Sequence, residues 1–110
     1  MSRYPTAKPV IPSDSERARH CAEVLRAVAH PLRLRIVAIL CQGDEHVNEL
    51  AAKLREPQPI VSQQLRILRL RGLVTPVRKN GFAFYRLTEP ALRDLVGCME
   101  RCAPAPGRKA

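Results

Sequence analysis

The dipeptide Asn80-Gly81 constrains the fold of this chain more than any other feature. It separates two strand-like runs, Leu73–Lys79 and Phe82–Leu87, and Asn-Gly is the pair that best tolerates the two positive φ angles of a tight hairpin turn. One short antiparallel ribbon is therefore expected. Upstream of it the apolar residues recur at three- and four-residue spacing instead, the period of helices. Ser13, with Glu16 three residues on, has the pattern of a capping box; Ala18, Cys21, Leu25, Val28 and Ala29 then mark the apolar side of a first helix. Pro31 suits the first turn of a second helix, which runs to about Cys41, is apolar on most sides and should be central. Gln42-Gly43-Asp44 ends it. A short third helix places Val47, Leu50, Ala51 and Leu54 on one face. After the break at Arg55-Glu56-Pro57, a fourth helix buries Val61, Leu65 and Leu68 and stops at Gly72, a C-terminal capping residue. Beyond the ribbon, Thr88 is expected to cap a last helix reaching about Cys102.

The expected order is α-α-α-α-β-β-α, mainly helical with a small two-stranded wing. A short helix, a brief turn, a second helix and a basic hairpin describe a winged helix-turn-helix. One domain spans residues 13–102, between tails 1–12 and 103–110 that are rich in Pro and expected to be flexible. A chain of 110 residues supports one domain only. With 45% apolar but 4% aromatic residues and no Trp, its core must be aliphatic and modest, so pairing with a second copy would help it bury surface. No apolar run approaches the ~20 residues that span a bilayer, and the N-terminus lacks the hydrophobic stretch of a signal peptide. A cytoplasmic protein is expected. Four cysteines there are thiols, metal ligands or sensors rather than a disulfide framework.

Nineteen Lys and Arg against ten Asp and Glu give a formal charge of +9, which points to a polyanionic partner, because neutralised phosphates release their counterions. The fourth helix sharpens this. Opposite its apolar stripe lie Pro59, Ser62, Gln63 and Arg66, with Gln58 and Gln64 at its start and flank, and no acidic residue occurs from Gln58 to Val74. Gln can bond the adenine edge in a bidentate way, Arg the guanine edge, and Ser a base or a phosphate. Pro59 leaves the helix N-terminus free to face phosphates. A solvated face would carry Gln and Arg too, but the missing acids and the basic hairpin downstream favour double-stranded DNA. Arg78 and Lys79, just before the hairpin tip, suit phosphate or minor-groove contacts. Phe82 is an odd residue for such a tip.

The runs 27-AVAHPLRLRIVAIL-40, 47-VNELAAKL-54, 58-QPIVSQQLRILRLRGLV-74 and 84-FYRL-87 together resemble the ArsR family of small winged-helix bacterial repressors, over about residues 14–102. The resemblance implies a homodimer joined through the first and last helices and a palindromic operator read by the fourth helix and wing. It also implies release of DNA when an inducer binds. It carries Gln58, Ser62, Gln63 and Arg66 over as operator contacts, and makes His30 a structural residue of the turn. Arg55-Glu56-Pro57 departs from the family's usual Leu-Gly-Leu-Ser-like turn. The family's divalent-ion site needs Asp and His on the last helix; Glu89 and Cys102 could match two positions, and no His follows.

The cysteines are the candidates for control. Cys98 and Cys102 stand four apart, so on one helix their side chains would share a face; Cys21 lies on the apolar side of the first helix. If those helices meet across a dimer, three thiols converge, which suits trigonal As(III) or Sb(III) as inducer, with no obligatory cofactor. Redox chemistry is the alternative: a thiol near Arg101 could be oxidised or persulfidated and then trapped by a second cysteine. Family members that sense sulfide use one cysteine on the second helix and one on the last, making Cys41 and Cys102 the analogous pair, with Cys41 about one turn late. Cysteines on apolar faces also serve as small core residues. A catalytic thiol protein is the rival from another class, but the spacing is C-x-x-x-C and no Ser-His-Asp set, phosphate-binding loop or carboxylate pair accompanies it, so no enzymatic activity is expected.

Overall fold

In the computed structural model, which describes residues 14–104, the first helix has its cap at Asp14. Ser13 lies outside the described residues, as do the expected tails apart from residues 103 and 104. The Asp14 carboxylate accepts the Arg17 amide at 3.0 Å and starts α1 (Ser15–Val28). Two further helices begin on histidines. His30 Nδ1 accepts the Leu32 amide at 3.1 Å to open α2 (Pro31–Leu40), as the structural role expected of it requires. His46 Nδ1 does the same for Asn48, at 3.1 Å, to open α3 (Val47–Leu54). In each case a side-chain acceptor satisfies an amide that the first turn leaves without a partner.

α4 (Gln58–Leu70), β2 (Val74–Lys79) and β3 (Phe82–Leu87) follow. The hairpin is as the dipeptide demands: Lys79 pairs with Phe82, and Asn80 and Gly81 take φ 51° and 82°. The sheet nevertheless has three strands, not two. A two-residue strand β1 (Glu45–His46) pairs antiparallel with β3, Glu45 opposite Tyr85 and His46 opposite Phe84, giving the order β1-β3-β2. Two residues are too short to show an alternating pattern, so this strand exists only through its partner.

The last helix also differs from expectation. Thr88 does not cap it; the Thr88 hydroxyl donates to the Gly72 carbonyl at 2.6 Å, back at the end of α4. α5 runs from Ala91 to Met99, with the Glu89 carboxylate accepting the Ala91 amide. Cys102 therefore lies just past the turn at Glu100 and Arg101, beyond the helix rather than on it.

The core is the expected aliphatic set. Val61, Leu65 and Leu68 of α4 meet Ile36, Val37 and Leu40 of the central α2, Leu50 and Leu54 of α3, and Leu73, Val74, Leu87 and Leu92. Two C-terminal turns fix how α4 sits. At its end Gly72 adopts φ 73°, with its amide bonded to Arg69 and the Leu73 amide to Leu68, the paired bonds of a Schellman motif. At the end of α3, Arg55 takes φ 56°, and the Glu56 amide closes back on Ala51. Here an arginine occupies a left-handed position that glycine enters without strain. Replacing Arg55 by Gly should raise stability by up to ~1 kcal/mol, the relief of αL strain less the extra freedom of the unfolded chain. A higher urea midpoint with unchanged m value is the expected result. An unmoved midpoint would mean that the arginine side chain offsets its own strain.

Candidate nucleic-acid interface

Burial of one side of α4 turns the other outward. Gln58, Pro59, Gln63 and Arg66 are exposed and Ser62 is half-buried, so five of the six residues singled out on this helix form one accessible surface. No side chain caps the helix start at Pro57, which leaves its N-terminal amides available to an anion. Gln64 is the exception. Its Oε1 accepts from Arg33 Nη1 of α2 at 2.9 Å, while Arg33 Nε donates to the Ala27 carbonyl. Gln64 thus ties α4 to the α1–α2 corner and is engaged within the fold. Ser62, Arg66, Arg69 and Tyr85 line a cleft of about 630 Å³ between α4 and the wing.

On the wing, the two expected cations are both occupied. Arg78 Nη1 donates to the Gly81 carbonyl at 3.1 Å. Lys79 Nζ lies 2.9 Å from Asp44 Oδ2, in the loop after α2. Arg86 joins the same carboxylate, with Nη2 at 2.7 Å from Oδ2 and Nε at 3.1 Å from both oxygens. The Asp44 carboxyl is held at about 2, below its ordinary 3.8, first by the Arg86 hydrogen bond and then by that of Lys79, against a smaller opposing effect of burial. Neither Asp44 nor Arg86 stands out in the sequence, because their contact joins residues 42 apart and leaves no local pattern. Phe82 stays 60% exposed and meets His46 edge to face at 6.0 Å between ring centres, with Phe84 on the same imidazole at 5.9 Å.

The structure separates the cysteines into three places. Cys21 and Cys98 line one open groove between α1 and α5, of about 950 Å³, with Val24, Leu25 and Leu95. Cys41 is half-buried at the end of α2, where its carbonyl accepts from Arg93 of α5. Burial pushes its thiol up, partly countered by the Arg93 charge. Cys102 is exposed past α5. Among the described residues no three Cys, His, Asp or Glu side chains gather into a metal-holding group. None of the described helices is long and apolar enough to cross a membrane.

Comparison with known proteins adds the relatives. Residues 30–75 match the family model described as bacterial regulatory protein, arsR family. The chain is 39% identical over 112 residues to the biofilm growth-associated repressor of Agrobacterium fabrum, covering 94% of this chain and 96% of the relative. It is 43% identical to the HTH-type transcriptional repressor SmtB of Mycobacterium tuberculosis over 67% of this chain and 55% of that one. The crystal structure of the transcriptional repressor BigR from Xylella fastidiosa superposes with a TM-score of 0.73 at 38% identity, over 81% of this chain and 93% of that chain.

The Asp44 cluster makes an acid-stability prediction. A carboxyl whose pKa is lower in the folded state stabilises it above the unfolded value, and that contribution is lost as pH falls through the folded one. The advantage of the native chain over Asp44→Asn should be full above about 4 and should shrink towards about 2. Urea unfolding at a series of pH values checks this. A difference that stays constant across the window would show that the carboxylate is not ion-paired in solution.

Proposed function

The chain belongs to the arsR family of bacterial regulatory proteins, a family of DNA-binding transcriptional regulators rather than enzymes, and from that premise we propose that it represses by laying α4 in the major groove of an operator. The observation that carries the reading is the acid-free outer surface of α4. Gln63 and Arg66 would read base edges. Gln58 and Ser62 would contact bases or backbone, Pro59 would bring the helix start near a phosphate, and Arg78 would reach phosphate from the wing. Gln64 acts indirectly, by fixing α4 on Arg33.

We infer that the working unit is a homodimer. The supporting observation is the groove between α1 and α5, where Leu25 is 51% exposed and faces the half-buried Leu95. Such apolar side chains on facing helices are costly to leave in water. Two copies joined there would present two α4 helices to a palindromic site.

Control by thiols is the finer part of the proposal. A three-thiol As(III) or Sb(III) site would need cysteines from both copies, since one chain gathers no such group among its described residues. A persulfide donor needs only a pair: it passes its outer sulfur to one cysteine and leaves as a thiol, and attack by a second cysteine thiolate then forms a disulfide and expels hydrosulfide. Cys21 with Cys98 share a groove. Cys41 with Cys102 would join the end of α2 to the chain beyond α5, across the Arg93 contact.

Fluorescence anisotropy with the DNA upstream of the gene tests the reading. Reduced protein should bind with a steep salt dependence. Gln63→Ala and Arg66→Ala should each weaken operator binding by ~1–3 kcal/mol while leaving binding to scrambled DNA much less affected. Equal losses on both duplexes would reduce these side chains to backbone contacts, and no binding would remove the reading. Treatment with a persulfide donor should release the operator, and mass spectrometry would show which cysteines are joined. Release by arsenite that Cys98→Ser abolishes would support the metalloid route instead. If neither reagent changes affinity, the thiols take no part in control.

A further inference from the structure

From Gln58 to Thr88 the chain carries six Lys or Arg and no Asp or Glu. The carboxylate that this stretch meets at its wing comes from outside it, from Asp44. Its side chain is 16% exposed, whereas those of Lys79 and Arg86 are each 48% exposed. The acid thus sits beneath two cations that face outward. Arg86 grips it in the two-pronged manner that guanidinium also uses for phosphate. We propose that Asp44 is a specificity-determining residue: by occupying Lys79 and Arg86 it withholds two wing cations from phosphates, and so suppresses sequence-independent binding relative to binding at the operator. The inference rests on the DNA-binding reading above.

The physical reason is the different make-up of the two complexes. Non-specific binding is almost wholly a matter of phosphates neutralised and counterions released. Operator binding adds base contacts from α4, which Asp44 does not touch. Removing the carboxylate therefore favours the non-specific complex more. Arg78 is outside this control, because its partner, the Gly81 carbonyl, is neutral.

Anisotropy titrations over ~50–200 mM salt, on operator and on scrambled duplex of equal length, test the proposal. Asp44→Asn should tighten binding to the scrambled duplex several-fold and steepen its log–log salt slope by roughly one to two. Operator affinity should change less, and Asp44→Glu should stay near the native behaviour. Circular dichroism confirms that each variant is folded. Lys79→Gln in the otherwise native chain gives a second, independent readout. Asp44 offsets part of the charge of each cation it holds, so the scrambled-duplex slope should fall by clearly less than the ~0.9 of a free phosphate contact.

A fall of about one in that slope with Lys79→Gln would overturn the proposal. So would Asp44→Asn weakening both duplexes at unchanged slope, which would make Asp44 a simple anchor of the wing. Native protein that binds neither duplex would take down the DNA reading itself, an outcome distinct from both.

Discussion

Burial of Val61, Leu65 and Leu68 is the constraint on which the rest of this molecule depends. All three are within 1% of complete burial, and each is worth roughly 1.5–3 kcal/mol relative to exposure. Together they lock the rotation of α4 about its own axis. Turning the helix to bury its other face would place Arg66 and Gln63 in an aliphatic core without partners, at a cost of several kcal/mol. The outward presentation of Gln58, Ser62, Gln63 and Arg66 is thus a consequence of packing and needs no dedicated scaffold. Arg33 adds a polar tether to the same rotation by bonding Gln64.

The wing is held to this helix by equally specific means. The Schellman turn at Gly72 delivers Leu73 and Val74 into the core, and Thr88 bonds the Gly72 carbonyl from the other end of the hairpin. β1 adds an edge to the sheet, and Glu45, nearly buried, pairs with Lys53 of α3. The Asp44 contact closes the far side, joining the wing to the loop after α2. Helix and wing therefore form one surface, with part of the wing's charge already compensated by the fold.

Much of this was legible in the residues. The 3.6-residue stripe of α4, the Asn80-Gly81 turn and the Gly72 stop are local signals, each set by interactions within a few residues, and each stands as expected. What escaped was set by distance. β1 has two residues and needs β3 to exist. Thr88 has the character of a helix cap, yet its hydroxyl found the Gly72 carbonyl sixteen positions back, so α5 starts later, and at its other end it stops at Met99, short of Cys102. Lys79 reads as a free cation until Asp44 is brought beside it, and Gln64 as a free amide until Arg33 is. The candidate surface on α4 could be read because it is the complement of a buried stripe. Its neighbours on the wing could not, because charge pairing across the fold follows no period.

The central claim is that the exposed side of α4 occupies the major groove. Protection of guanine N7 from methylation, mapped along the DNA upstream of the gene, tests it most directly, since N7 lies in that groove. The prediction is two protected clusters about one helical turn, ~10 base pairs, apart, related by the symmetry of a dimer, both lost in the Arg66→Ala variant. Binding that leaves every N7 reactive would contradict it and place the protein's contacts on the backbone or in the minor groove alone.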